Sequence, residues 1–229
     1  MDLDHNASPV HPLPWVVWVL ALPIALIEIG LSLGGYGLIG GPQAVGWRLQ
    51  AYQDFAFSPQ ILQAMIAQNY FPASQMIRFV SYIFVHGGPT HAVFVVVFIL
   101  AMGKYVSEVF RPWAVLVMFF GSGIVGALVY GLFAQTQMAL IGGYPPVYGL
   151  IGGFTFILWV RLGEGGGNRM GAFSLIAFFL GFQLLFGLLF GGQGREWVAD
   201  LGGFAAGFGL SFLVCPGGPQ RALALIRRR

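Results

Sequence analysis

Apolar positions along this chain fall in blocks rather than in the short alternations of a soluble fold. Nearly unbroken apolar runs cover roughly residues 14–35, 89–110, 112–134, 146–162, 170–192 and 196–216, the fourth being the shortest. A bilayer core takes about 20 apolar residues of helix. The pattern therefore predicts an all-α, polytopic membrane protein with six transmembrane helices and a long outer loop between the first and second. Within that loop (40–88) the pattern changes. Ser58-Pro59 places an N-cap before a proline at the first helical position. Ile61, Leu62, Met65 and Ile66 then recur at helical spacing among Gln60, Gln63 and Gln68. This predicts a short helix, lying in the membrane interface or packed on the rest of the loop.

Composition removes the soluble alternative. The chain is 57% hydrophobic and only 8% charged, against about 25% charged residues in a soluble domain. Its 35 glycines suit closely packed membrane helices. With the N-terminus inside, Lys104, Arg111, Arg161, Arg169, Arg221, Arg227, Arg228 and Arg229 lie in inner segments, and Arg48, Arg78 and Arg195 in outer ones. An excess of basic residues marks the cytoplasmic side, so both termini are expected in the cytoplasm. The expected layout is a short cytoplasmic N-terminus (1–13), a membrane domain (14–216) and a basic cytoplasmic tail (217–229). The first twelve residues hold Asp2 and Asp4 but no Lys or Arg, so a cleavable signal is not expected and the first run stays as a span. The terminal arginines are expected to meet lipid headgroups, with no nucleic acid as partner. The single Cys215 excludes an internal disulfide.

Two acids fall inside apolar runs, Glu28 and Asp200. Intramembrane acids are functional candidates by default. Glu28 is expected in an interhelical hydrogen bond within the chain, or in contact with a partner helix or a proton path.

Two segments carry a resemblance. The first is Arg78-x7-His86-x4-His91 leading into a membrane helix, and the second is Asp200-Leu-Gly-Gly203-x3-Gly207 in the last run. With the glycine-rich start of the fourth run (147–153), these resemble the rhomboid family of intramembrane serine proteases over about 80–229. The resemblance implies a six-helix rhomboid-like bundle. It also implies a cavity formed by His86, His91, Val95, Tyr148, Gly149 and Asp200, and packing glycines at Gly152, Gly153, Gly203 and Gly207. The family's Gly-x-Ser-Gly aligns on Pro146-Val147-Tyr148-Gly149, which puts Tyr148 where the nucleophile belongs. The base His aligns on Asp200, and the Asn that follows the second His aligns on Val95. Of the loop's Trp-Arg pair only Arg78 is kept.

The replaced positions are poorly suited to the family's chemistry. A carboxylate (pKa about 3.9) taking a proton from a phenol (about 10) works uphill by roughly 8 kcal/mol. A missing oxyanion donor costs about 2.7–4 kcal/mol more. Ser122 lies in the third run and Cys215 at the wrong face. His86, His91 and Asp200 offer three donors for zinc, but family scaffolding already accounts for the two histidines, so no metal and no cofactor is expected. Tyr148 is expected to donate to Asp200, with His91 as second partner, unless Asp200 meets only water or backbone. Phe173, Phe178, Phe179, Phe182, Phe186 and Phe190 on the fifth run are expected to grip a partner helix, block entry, or face lipid. The resemblance to inactive members implies a pseudoprotease that binds transmembrane segments of client proteins, and a bacterial inner membrane is its expected location. The alternatives are an active protease with a non-standard site, or a small transporter using Glu28 and Asp200.

Overall fold

The computed structural model describes residues 12–190 and 194–217. The tail arginines Arg221 and Arg227–Arg229, most of the N-terminal segment, and the side chains of Phe186 and Phe190 lie outside the described residues.

The elements are all helical. In chain order they are α1 (Trp15–Gly35), α2 (Trp47–Phe55), α3 (Pro59–Gln68), the single turns α4 (Ala73–Met76) and α5 (Arg78–Ser81), α6 (Pro89–Ser107), α7 (Pro112–Phe133), α8 (Tyr144–Glu164), α9 (Ser174–Phe190) and α10 (Glu196–Val214). Five of these, α1, α6, α7, α8 and α10, are long and apolar enough to cross a membrane. The fifth expected span differs. A 3-10 turn over Arg169–Phe173 precedes α9, leaving 17 residues of α-helix, at the short limit of a span.

Prolines set where the long helices begin. Pro89 and Pro112 stand at the first position of α6 and α7, where the missing N–H has no intrahelical role. In α8, Pro145 and Pro146 follow Tyr144 within the first turn, so this helix starts two residues before the apolar run suggests.

Helix α10 packs most extensively on α8 and α7, and α1 packs on α6. The closest approaches are made by glycines. A Cβ on Gly207 would overlap the Gly149 carbonyl, one on Gly203 the Pro145 carbonyl, and one on Gly152 the Phe204 carbonyl. Backbone thus meets backbone along the α8–α10 seam, the arrangement that small residues permit between membrane helices. Helix α9 touches chiefly the turn before it and, lightly, α8.

The long loop is folded down on one end of the bundle, here called the loop end. Ser58 caps α3 by accepting from the Ile61 N–H at 3.4 Å. Leu62 and Met65 are buried while Ile66 is half exposed, so α3 packs on α7 through one face. Arg78 donates to the Ala56 and Gln53 carbonyls at 2.9 and 2.7 Å. Phe57 and Leu140 exchange backbone hydrogen bonds of 3.1 and 2.8 Å, tying the loop to the α7–α8 connection.

Candidate functional site

His86 precedes α6 and is fully buried, and its Nε2 accepts from the Gly143 N–H at 3.3 Å. His91, in the first turn of α6, accepts from the Gly87 N–H through Nδ1 at 3.3 Å. Each ring therefore carries its proton on the other nitrogen, His86 on Nδ1 and His91 on Nε2, as assigned from these bonds. The two rings meet edge to face at 5.0 Å. Gly142, with φ of +92°, leaves room for the His91 ring, which a Cβ there would strike at 2.5 Å.

Burial, with His91 beside it, pulls the His86 imidazole down from its ordinary value to about 4. Between about pH 6.5 and pH 4 the unfolded chain binds a proton that the folded chain refuses, so stability falls as pH falls through that window. The loss is complete below about pH 4 and amounts to roughly 3 kcal/mol. Thermal unfolding in detergent should show it as a pH-dependent difference between wild type and His86→Gln, whose amide oxygen keeps the Gly143 bond. Parallel pH curves would remove His86 as the cause.

Tyr144 opens α8, and its ring stacks on His91 with centroids 4.9 Å apart and planes 18° apart. Tyr148 lies one turn further in. A second Gly-x-Tyr run, Gly142-Gly143-Tyr144, thus stands one turn before the position where the resemblance puts the nucleophile. Val95, fully buried one turn beyond His91, presents only methyl groups to Gly143.

Asp200 is 1% exposed, in the second turn of α10. The expected direct bond from Tyr148 is not made. Gln183 of α9 stands between them: its Nε2 donates to Asp200 Oδ2 at 3.0 Å, and its Oε1 accepts from the Tyr148 hydroxyl at 3.4 Å. His91 is engaged with Gly87 and Tyr144 instead. Gln183 was passed over because the phenylalanines dominate its helix, yet a lone amide in an apolar span is itself a signal. Replacing Gln183 with Leu strips a partner from both neighbours and should cost about 1–3 kcal/mol, read as a lower melting temperature in detergent. An unchanged melting point would mean the bridge is not formed.

Glu28 pairs within the chain. Arg48 of α2 reaches it with Nη2 to Oε1 at 2.6 Å and Nη1 to Oε2 at 3.0 Å, and Ser32 donates to Oε1 at 2.7 Å. The same guanidinium donates to the His86 carbonyl at 2.7 Å, where the Tyr52 hydroxyl also donates at 3.1 Å. The intramembrane acid thus anchors the loop beside His86.

Ser122 and Cys215 make their hydrogen bonds elsewhere. Ser122 is fully buried, donates to the Met118 carbonyl of its own helix, and packs on Gly149. Cys215 lies just past the far end of α10 and donates to the Phe212 carbonyl at 3.7 Å. Among the described residues no group of three His, Cys, Asp or Glu is placed to hold a metal ion.

Between α6, α8, α9 and α10 lies a cavity of about 530 Å³. Phe98, Ile151, Phe178 and Phe182 give it apolar walls, and Tyr148 and Asp200 stand at its polar end. Among the described residues its polar lining consists of the phenols of Tyr144 and Tyr148, the Gln183 amide and the Asp200 carboxyl.

The family model for the Rhomboid domain matches residues 73–217, well over half of the chain. No curated protein matches it.

Proposed function

Because the chain belongs to the rhomboid family, we propose that it is a degenerate member that holds a transmembrane segment of another membrane protein at the family's site without hydrolysing it. One observation carries this reading. The two histidines lie beside the cavity rather than on its lining, the side chain against His91 at the head of α8 is the ring of Tyr144, and Asp200 is tied to an amide rather than to a nucleophile. Acyl transfer needs a hydroxyl within reach of a base. A phenol stacked face to face on an imidazole does not supply that pair.

What remains suits binding. The aromatic-walled cavity falls within the size range of ligand pockets. On its α9 wall Phe178 and Phe182 are exposed, and among the described residues α9 packs only lightly on α8. In lipid, such a wall supports lateral entry of a helix from the bilayer. The excess of basic residues on the other side supports placing the loop end outside a bacterial inner membrane, with both termini inside. The transporter alternative loses Glu28, which is neutralised by Arg48.

The test uses the full chain in nanodiscs with a photoreactive residue at position 151, presented with single-span peptides. The expected result is a crosslink to intact peptide by mass spectrometry. Recovery of cleaved peptide, or no crosslink to any peptide, would overturn the proposal.

A further inference from the structure

Asp200 has a feature that a purely structural role leaves unexplained. Gln183 satisfies Oδ2, but Oδ1 is buried with no hydrogen-bond partner. Among the described residues no Lys or Arg pairs with this carboxylate, the one ion pair there being Arg48–Glu28. Nearby on α10, Arg195 spends a donor on the Ala134 carbonyl at 2.7 Å, and the other charged side chain, Glu196, is also acidic. The other polar groups on the cavity are uncharged: the hydroxyls of Tyr144 and Tyr148 and the amide of Gln183. An apolar cavity with a half-satisfied acid at its polar end is complementary to a cation on an otherwise apolar body.

We infer that the cavity selects transmembrane segments carrying a basic side chain near their loop-side end, where it meets the free oxygen of Asp200. The inference rests on the client-holding reading above. The depth follows from the helix: Asp200 lies four residues into α10, ~6 Å below its first residue at 1.5 Å per residue. A Lys or Arg one to two turns inside the end of a client helix reaches that level, its aliphatic stem lying along the cavity's rings. A charge at that depth is costly alone, and pairing relieves the cost for both partners.

The experiment uses the full chain in phosphatidylcholine nanodiscs and three synthetic single-span helices of about 20 apolar residues. They are identical except for Lys, Leu or Glu one turn from the loop-side end. Affinity is read by fluorescence transfer, alongside the crosslink at position 151. Wild type should bind the Lys helix about tenfold more tightly than the Leu helix, a step within the range of close charge pairs, and the Glu helix least. Asp200→Asn, which keeps an oxygen for Gln183, should bring Lys and Leu helices to parity. The ranking in wild type needs no variant, so it stands even if Asp200→Asn folds poorly. Equal binding of Lys and Leu helices by wild type, or a Lys preference that survives Asp200→Asn, overturns the inference while leaving client holding intact. Failure of every helix to bind overturns both.

Discussion

Gly207→Ala is expected to destabilise the bundle by about 3 kcal/mol, the upper part of the range for overpacking, although it adds one methyl group to a helix. That Cβ would land on the Gly149 carbonyl of α8. A side chain struck in this way swings aside, but a carbonyl fixed in a helix does not, so α8 and α10 must separate. Separation disturbs the neighbouring approaches of Gly203 to Pro145 and of Gly152 to Phe204, because all three lie on one seam. Gly209, two residues along the same helix, has no atom within 4 Å of its would-be Cβ. Gly209→Ala should therefore be neutral, or gain up to about 1 kcal/mol from helix propensity. Both variants are compared by denaturant unfolding in micelles. Equal effects would mean that the seam is not packed as described.

Arg48→Met should cost a similar amount, about 3 kcal/mol, because it leaves the Glu28 carboxylate without its cation. The low end of the range for buried pairs applies, since the Arg48 side chain is 23% exposed while that of Glu28 is 6% exposed. The variant also removes a donor from the His86 carbonyl, so the loop should loosen over the histidines. Pairing it with Glu28→Leu removes the stranded charge and should recover part of the loss. A double-mutant cycle isolates the coupling. Additive effects of the two substitutions would show that the ion pair is not formed in the folded protein.

How far the sequence carried the reading depends on whether a signal was local. The spans were legible because apolar runs declare themselves: 14–35 became Trp15–Gly35, 112–134 became Pro112–Phe133, and 196–216 became Glu196–Val214. Helix α3 was legible from Ser58-Pro59. Helix α8 starts two residues before the apolar run, at Tyr144, because prolines in a first turn break nothing. Helix α2 was missed because WRLQAYQDF buries none of its residues, and an apolar stripe is what periodicity detects.

Of the six residues expected on one cavity, Tyr148 and Asp200 line it, while His86, His91, Val95 and Gly149 are not among its lining residues, and the pairings between segments had no signal. Arg48 finds Glu28 across 20 positions, and Gln183 finds Asp200 across 17. No pattern within either segment foretells its partner. Tyr144 and Tyr148 both sit beside glycines one turn apart, so sequence alone does not say which of them meets a histidine. Only the helix start and the stacking on His91 separate them.

We propose that a phenol and an amide-bound acid occupy the place of a working catalytic pair. This is tested most directly by incubating the full chain in liposomes with single-span substrates and searching by mass spectrometry for new termini within the span. Intact substrate is expected, with wild type, Tyr144→Phe and Asp200→Asn alike at background. New termini from wild type that vanish in Tyr144→Phe or Asp200→Asn would contradict it.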